Sequence, residues 1–362
     1  MKTRKIGNLE VSAVGMGIMG FSHGYGKVPS ENYAIEAIRK GFEAGCTFFD
    51  TAEGYGKEQF YPGHNEQLLG KAIKPFRDKI VLATKFHLED QDLQTSETLE
   101  QVIRRHLNKS LENLQTDYVD LYYLHRLNEQ VPVEDVAKVM KKLIDEGLIK
   151  GWGLSQVDVD TLNRGHQITP VTAIQSIYSM VERDLEKEIF PYCLKHNIGV
   201  VPFSPIASGF LSGKVTVETK FEGDDVRKWV PQLSKENIVA NQPILDVLDR
   251  FSKEKNATNA QISLAWMLHK YPNCVPIPGS KNQERILENL NAMNVELTDE
   301  EFKQLEAALD ACTVHGHRGN VESEKKTFSN NWRKNNKVWQ NHTLFILIIR
   351  IIYHRNIYLI IL

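Results

Sequence analysis

Three successive apolar runs end on side chains of different acidity. Asp50 closes the run 46–50, Tyr55 follows five residues later in DTAEGYG, Lys85 closes VLATK and His125 closes DLYYLH. Taken singly, each has an ordinary role: a strand-end Asp caps the next helix, a Lys there is solvated, and a His is a satisfied polar group. Brought into one layer, the four become an acid–base set. A free phenol, with a pKa near ~10, gives up its proton poorly at neutral pH. A neighbouring ammonium stabilises the phenolate, and a carboxylate against that ammonium fixes its place. Tyr55 then donates a proton to an oxygen that gains negative charge, backed by Lys85 and Asp50, while His125 orients the same oxygen. This chemistry suits carbonyl reduction, and because no side chain supplies hydride, it requires a nicotinamide cofactor.

Such a set works only if the strand ends converge. Runs at 11–17, 46–50, 80–85, 118–124, 149–154, 173–176, 199–203 and 274–278 are short, bounded by turn residues and rich in Val, Ile and aromatics, which predicts strands. Helical stripes lie between them. Leu99, Val102, Ile103, Leu107, Leu111 and Leu114 form one, Ala34, Ile35, Ala37, Ile38 and Phe42 another, and Ile262, Leu264, Ala265, Met267 and Leu268 a third. Gly45 and Gly147 stand where helices end, and Thr298 with Glu301 makes a capping box. Strand–helix alternation eight times over predicts an α/β fold, a closed (β/α)₈ TIM barrel, over residues 1–320. In it the carboxyl ends of the strands surround one site. The stretch 206–236, with Gly209, Gly213 and Gly223, is the longest break in the rhythm and is expected to cover that site.

Composition narrows the function classes. The 362 residues carry 44 Lys+Arg against 46 Asp+Glu, a net charge of −2, so no global field draws the chain to nucleic acid or an anionic membrane. Hydrophobic residues make up 41%, which excludes wholesale disorder. Cys46, Cys193, Cys274 and Cys312 form no CxxC pair, and the N-terminus has no signal-peptide stretch; reduced thiols and a cytoplasmic location are expected. No metal site is expected: VSAVGMG offers no ligand, and His23 and His64 are isolated, so a metal-dependent barrel hydrolase is set aside. Gly15, Gly17 and Gly20 spell G-x-G-x-x-G, yet 21–29 continues as loop and Asp50 lies 30 residues beyond Gly20. A Rossmann unit needs a helix there and an acid about 20 residues on. These glycines are expected instead to let the backbone pass the nicotinamide at the barrel rim.

The tail differs from the rest. From Lys325 onward there is no Asp, Glu, Gly, Ala or Pro, and 12 of the 19 residues 344–362 are Ile or Leu. Arg350, His354, Arg355 and Asn356 interrupt a span otherwise near bilayer length. Residues 321–362 read as an abnormal extension outside the barrel, with an interfacial anchor or packing on a partner as the alternatives.

GFEAGCTFFDTAEGYG, NEQLLGKAI, VLATK and DLYYLH, in this order and spacing, resemble the aldo-keto reductase superfamily in its bacterial and fungal branch, over residues 3–320. The resemblance implies a (β/α)₈ barrel that binds NADPH across its carboxyl end and reduces small-molecule aldehydes and ketones, with Tyr55 as general acid. It implies that Ser155 in GLSQ and Gln175 in AIQSIYS hold the nicotinamide carboxamide. Phe203 replaces the usual tyrosine under the ring, and Ser204, Pro205, Gly209 and Leu211 line the pyrophosphate path. Ser280, Lys281 and Arg285 would meet the 2′-phosphate, and Glu288 with Asn289 the adenine. Gly279 stands where relatives often carry a lysine, and Lys281 is expected to take over its charge. A Ser/Lys/Arg cluster entering a helix is on physical grounds also a phosphate site. Phe21, Tyr25, His87, Arg126 and Trp229 are the candidate substrate-pocket residues, with Trp229, near Arg227, expected to close over the substrate. Channel β-subunits share the fold and tetrad, so a nicotinamide-binding regulatory subunit with little turnover is the alternative.

Overall fold

The computed structural model describes residues 2–319, and the expectation about the tail lies outside them. Residues Met1–Arg318 make one compact unit. Two strands, β1 (Thr3–Ile6) and β2 (Leu9–Ser12), form an antiparallel hairpin through a turn in which Gly7 takes φ +57°. Seven parallel strands follow in chain order: β3 (Met16–Gly17), β4 (Phe48–Asp50), β5 (Val81–Phe86), β6 (Leu121–Leu124), β7 (Trp152–Ser155), β8 (Ala173–Ile177) and β9 (Gly199–Phe203).

The eighth position is filled by an irregular segment. Val275 and Ile277 donate to the carbonyls of Val200 and Pro202 at 2.9 and 3.0 Å, Gly15 donates to Pro276 O at 2.9 Å, and Gly17 bridges Gly279. Pro276 and Pro278 have no N–H, so this edge donates only toward β9 and only accepts from β3. The barrel closes, as expected for a (β/α)₈ fold, although 274–278 is not a regular strand.

The run 11–17 does not form one strand. It breaks after Ser12, whose Oγ donates to Val14 O (2.8 Å) and accepts from Thr47 N (3.0 Å). Its first half belongs to the hairpin, and only Met16–Gly17 enters the barrel. The hairpin carries Ile6 and Val11 into the amino end, where they join Phe48, Ala83, Tyr123, Val201 and Val275. Gly199 lets this plug in, since a Cβ there would lie 2.5 Å from Ile6 Cβ.

Around the barrel lie α1 (Glu31–Glu43), α2 (His64–Ile73), α3 (Leu99–Leu114), α4 (Val133–Asp145), α5 (Val159–Ile168), α6 (Ile189–His196), α7 (Lys235–Ala240), α8 (Gln242–Lys255), α9 (Asn259–Lys270), α10 (Gln283–Asn291) and α11 (Asp299–Asp310). The α3 stripe is buried at Val102, Ile103, Leu107 and Leu114, and Thr98 with Gln101 caps the helix reciprocally. The Thr298–Glu301 box starts α11, and Gly45 and Gly147 take φ +89° and +76° after their helices. Among the described residues no helix is long and apolar enough to cross a membrane, and no group of three or more His, Cys, Asp or Glu could hold a metal ion.

Candidate active site

Strand alternation aims the reactive side chains. Phe48 of β4 faces the barrel interior and Phe49 the helices, so Asp50 faces inward again. In β5, Val81 and Ala83 face inward, and Lys85 follows them. Asp50 pairs with Ala83 across the sheet, which brings the Lys85 ammonium over the carboxylate. Its Nζ donates to Asp50 Oδ1 (2.5 Å), Thr51 O (2.7 Å) and Tyr55 Oη (3.2 Å). Three acceptors match the three protons of an ammonium. Burial opposes that charge, but Asp50 and Tyr55 outweigh it and raise the Lys85 pKa. Burial pushes the Asp50 carboxyl up, against the pull of Lys85 and of Gln175, whose Nε2 donates to Asp50 Oδ2 at 2.8 Å. With every proton of the ammonium matched, we read the pair as ionised.

Tyr55 is half-buried in the loop after β4, where Asn65 N donates to its carbonyl. His125 continues β6, its N–H donating to Phe86 O at 2.8 Å, and its ring stands edge-on to that of Tyr55 with centroids 5.7 Å apart. Burial first, then Lys85, Arg126, His87 and Lys57, pushes the imidazole pKa down to about 2. At neutral pH His125 is therefore uncharged, with one ring N–H to donate. The four tetrad residues meet at the carboxyl end of the barrel.

Glu53 and His106 are two contributors that residue-type reasoning missed. Glu53 accepts from His87 N at 2.8 Å with one oxygen and lies 2.8 Å from His106 Nδ1 with the other, joining the Tyr55 loop to the loop after β5. Glu53 sits inside DTAEGYG and could have been singled out; His106, on α3, gave no signal.

A groove lies on the rim formed by the loops after β3 and β9 and the segment that follows Pro278. Tyr25, Ser204, Pro205, Gly209, Ser280, Lys281, Arg285, Glu288 and Asn289 line it, as do Gly20, Arg227 and residues not foreseen, among them Ile206, Ser208, Ser212 and Lys214. Ser204, Ala207, Ser208 and Gly209 all have positive φ, at 52°, 47°, 55° and 98°. Ala207 and Gly209 donate their N–H groups back to Ser204 O and Ile206 O, both at 2.9 Å, so these residues fold into a tight turn against the groove. Ser208 Oγ is buried there without a hydrogen-bond partner among the described residues.

Several expected positions lie elsewhere. Leu211 is 0% exposed in the core, so its side chain does not line the groove. Phe21 is likewise packed into the core rather than the substrate mouth. Trp229 is 59% exposed, its ring near only Lys228 Nζ among cations, and does not line the groove. Lys281 Nζ donates to the carbonyls of Tyr25 (2.6 Å) and Lys27 (2.5 Å), so a loop already holds it. Gln175 leans on Asp50, while Ser155 Oγ accepts from Arg126 Nη1 at 2.9 Å. Phe203, at the end of β9, packs against the inner cluster. Of the three glycines, only Gly20 reaches the groove; a Cβ on Gly15 would lie 2.6 Å from the Phe48 ring and one on Gly17 3.0 Å from Ile277 O, so those two admit the closing segment.

The Asp224 carboxylate accepts from Gly24 N (2.8 Å), Gly26 N (2.9 Å) and Gln59 Nε2 (2.5 Å), and Val226 N donates to Gly24 O. The long connection is thus strapped to the loop after β3. Arg227, paired with Asp225, lies over the rings of Tyr25 and Phe221.

The family model for the Aldo/keto reductase family matches residues 13–310. A probable aldo-keto reductase 1 from Glycine max is 36% identical over 312 residues, 85% of this chain and 88% of that one. An aldo/keto reductase from Klebsiella pneumoniae, solved in complex with NADP and acetate, is 26% identical with a TM-score of 0.66, covering 88% of this chain and 99% of that one. A glycerol dehydrogenase from Gluconobacter oxydans, 24% identical over 86% of this chain and 96% of its own, shares the fold at a TM-score of 0.75. With the tetrad gathered at one end of a closed barrel and the family pattern running from the first barrel strand to the last helix, the chain belongs to the aldo/keto reductase family.

Proposed function

We propose that the protein reduces aldehydes or ketones to alcohols with NADPH, with Tyr55 as general acid. The observation that carries this reading is the Lys85 ammonium donating at once to Asp50 and Tyr55. Relatives from Klebsiella pneumoniae solved with NADP or NADPH support the cofactor.

The residues present fit a dinucleotide. The tight turn through Ala207, Ser208 and Gly209 and the Ser208 Oγ, unpartnered among the described residues, suit a pyrophosphate. Ser280 and Arg285 suit the adenosine phosphate, Glu288 and Asn289 the adenine, and Ser155, Gln175 and Phe203 the nicotinamide. When bound, the dihydronicotinamide supplies hydride to the carbonyl carbon. Neutral His125 donates to the carbonyl oxygen and orients it. Tyr55 gives its proton to that oxygen as negative charge builds there. Lys85 stabilises the phenolate left behind, and Asp50 fixes Lys85 against the pull of solvent. In the reverse direction the phenolate takes the proton back.

The same reading assigns the activity to residues 1–320 and the protein to the cytoplasm, the latter supported by four cysteines with no disulfide partner. A chain ending at Asn336 is expected to turn over unaltered. The main test is NADPH oxidation against a carbonyl panel, repeated with NADH and with Tyr55→Phe. Turnover should fall by about 10²–10⁴-fold in that variant while NADPH affinity holds within about twofold. Equal turnover refutes the role, and bound NADPH with no turnover on any carbonyl favours a regulatory subunit.

A further inference from the structure

We propose that Arg126 binds a carboxylate on the substrate, so that the preferred substrates are carbonyl acids, such as 2-oxo acids and semialdehyde acids, rather than neutral aldehydes or ketones. This rests on the reductase reading above and adds to it the substrate class.

Arg126 directly follows His125 at the carboxyl end of β6. One nitrogen, Nη1, donates to His125 O at 2.5 Å and to Ser155 Oγ at 2.9 Å, which pins that end of the guanidinium against the end of β7. Both of its hydrogen bonds go through Nη1, so among the described residues Nε and Nη2 have no hydrogen-bond partner and no carboxylate pairs with Arg126. Some arginines are neutralised, Arg77 by Asp120, Arg104 by Glu146, Arg183 by Glu186 and Arg227 by Asp225, and others are used up on backbone carbonyls, Arg4 on Tyr271 O and Cys274 O and Arg39 on Ala72 O and Lys71 O. Arg285, on the groove and likewise without a carboxylate among the described residues, lies where the phosphate of the cofactor is expected. By the same logic, a guanidinium left open beside the reacting centre is a fork for an anion of the substrate.

The surroundings agree. After burial, the Lys85 ammonium and the Arg126 guanidinium both help to push the His125 pKa down, so the site carries cations near its reacting centre. The nearby acids are occupied, Asp50 by Lys85 and Gln175, and Glu53 by His87 N and His106. Arg126 is exposed at the mouth, so an incoming group reaches it from solvent. Its planar edge offers two parallel N–H donors, which match the two oxygens of one carboxylate. A substrate held between that fork and the Tyr55 and His125 donors presents its carbonyl in a fixed orientation.

The test uses the full chain with NADPH and two matched pairs, succinic semialdehyde against its methyl ester and pyruvate against methyl pyruvate. Wild type should favour the acid of each pair at least tenfold in kcat/KM. Arg126→Met should lower the acid-to-ester ratio about 10- to 100-fold, with Arg126→Lys in between. A wild-type ratio at or below one overturns the proposal, as does a ratio that Arg126→Met leaves in place. A purely positioning role through Ser155 would instead weaken NADPH binding and lower both members of each pair alike. If NADPH binds and no carbonyl is reduced, the reductase reading fails separately. The anion site is then decided by oxamate titrated into the NADP⁺-loaded protein: at least tenfold weaker binding in Arg126→Met sustains it, and equal binding overturns it.

Discussion

The floor of the site and its rim are built on opposite terms. On the floor, Asp50 and Lys85 stand at the ends of parallel strands, 3% and 0% exposed, and each charge meets a partner inside the protein. On the rim, the groove is made of loops, with Ser204, Ala207 and Ser208 in the left-handed region that non-glycine residues seldom occupy. Arg227 there is paired with Asp225, but among the described residues Arg285 has no carboxylate and Ser208 Oγ no partner. The floor is complete before anything binds, which is what a preorganised acid–base set requires. The rim leaves donors open, as a surface does when its partner is a separate molecule.

Removing the charge at the centre of the floor should have the largest effect. Lys85→Met takes away the group that stabilises the phenolate and leaves Asp50 buried without a counter-ion. Turnover should fall by about 10³-fold, and urea denaturation should show a loss of about 3–5 kcal/mol. Asp50→Asn added to Lys85→Met should restore part of that stability and none of the activity. A single variant as stable as wild type would mean that the floor is not an obligate ion pair.

On the rim, effects should fall on affinity instead. Arg285→Ala is expected to weaken NADPH by about 10–100-fold and leave NADH unaltered, as read by fluorescence titration, because only the former carries the extra phosphate. Lys281→Ala should weaken both cofactors together, since its ammonium holds the carbonyls of Tyr25 and Lys27. Selective loss of NADPH in that variant would return Lys281 to the phosphate.

The floor also predicts a pH effect of intermediate size. Folding lowers the His125 pKa from the ordinary ~6.5 to about 2. The unfolded chain therefore binds a proton that the folded chain refuses. The stability this group contributes is present above pH ~6.5 and is lost as pH falls toward the folded value. Between pH 7 and 5.5, wild type should lose up to about 1 kcal/mol more than His125→Gln. Parallel losses in the two proteins would show that His125 accepts a proton in the folded state.

The same contrast explains what the sequence made legible. Strand ends are written in local pattern: Phe48-Phe49-Asp50 and Val81 through Lys85 alternate with period two, so the layer holding Asp50 and Lys85 could be read from the letters. The hairpin is obscured because 11–17 reads as one strand-like run, and only the hydroxyls of Ser12 and Thr47, far apart in sequence, divide it. The eighth strand position was found, though two prolines keep it from being a regular strand. Rim geometry was less legible, because φ at Ala207 and Ser208 is imposed by packing and not by residue type. The resemblance puts Leu211, and its rim-loop position puts Phe21, at the site, but large apolar side chains next to a core turn into it. Lys281 was assigned by its charge, and nothing local shows that its ammonium reaches back across 254 residues to Lys27.

Asp224 offers the finest probe of the contrast, and the smallest effect. Its carboxylate accepts from two backbone N–H groups, at Gly24 and Gly26, and from Gln59, so it draws the long connection onto the loop after β3 beside the groove. These bonds hold the Asp224 pKa down in spite of partial burial. In Asp224→Ala the Val226 N–H to Gly24 O bond remains, so the strap should loosen rather than detach. Stopped-flow measurement should find NADPH leaving about three- to tenfold faster, each tenfold corresponding to ~1.4 kcal/mol. The chemical step at saturating cofactor should not change, because no bond of the Lys85–Asp50–Tyr55 set touches the strap. If cofactor release limits turnover, kcat in this variant rises. A hundredfold fall in the single-turnover rate would show that the rim shapes the floor, and the division between a finished centre and an open margin would fail.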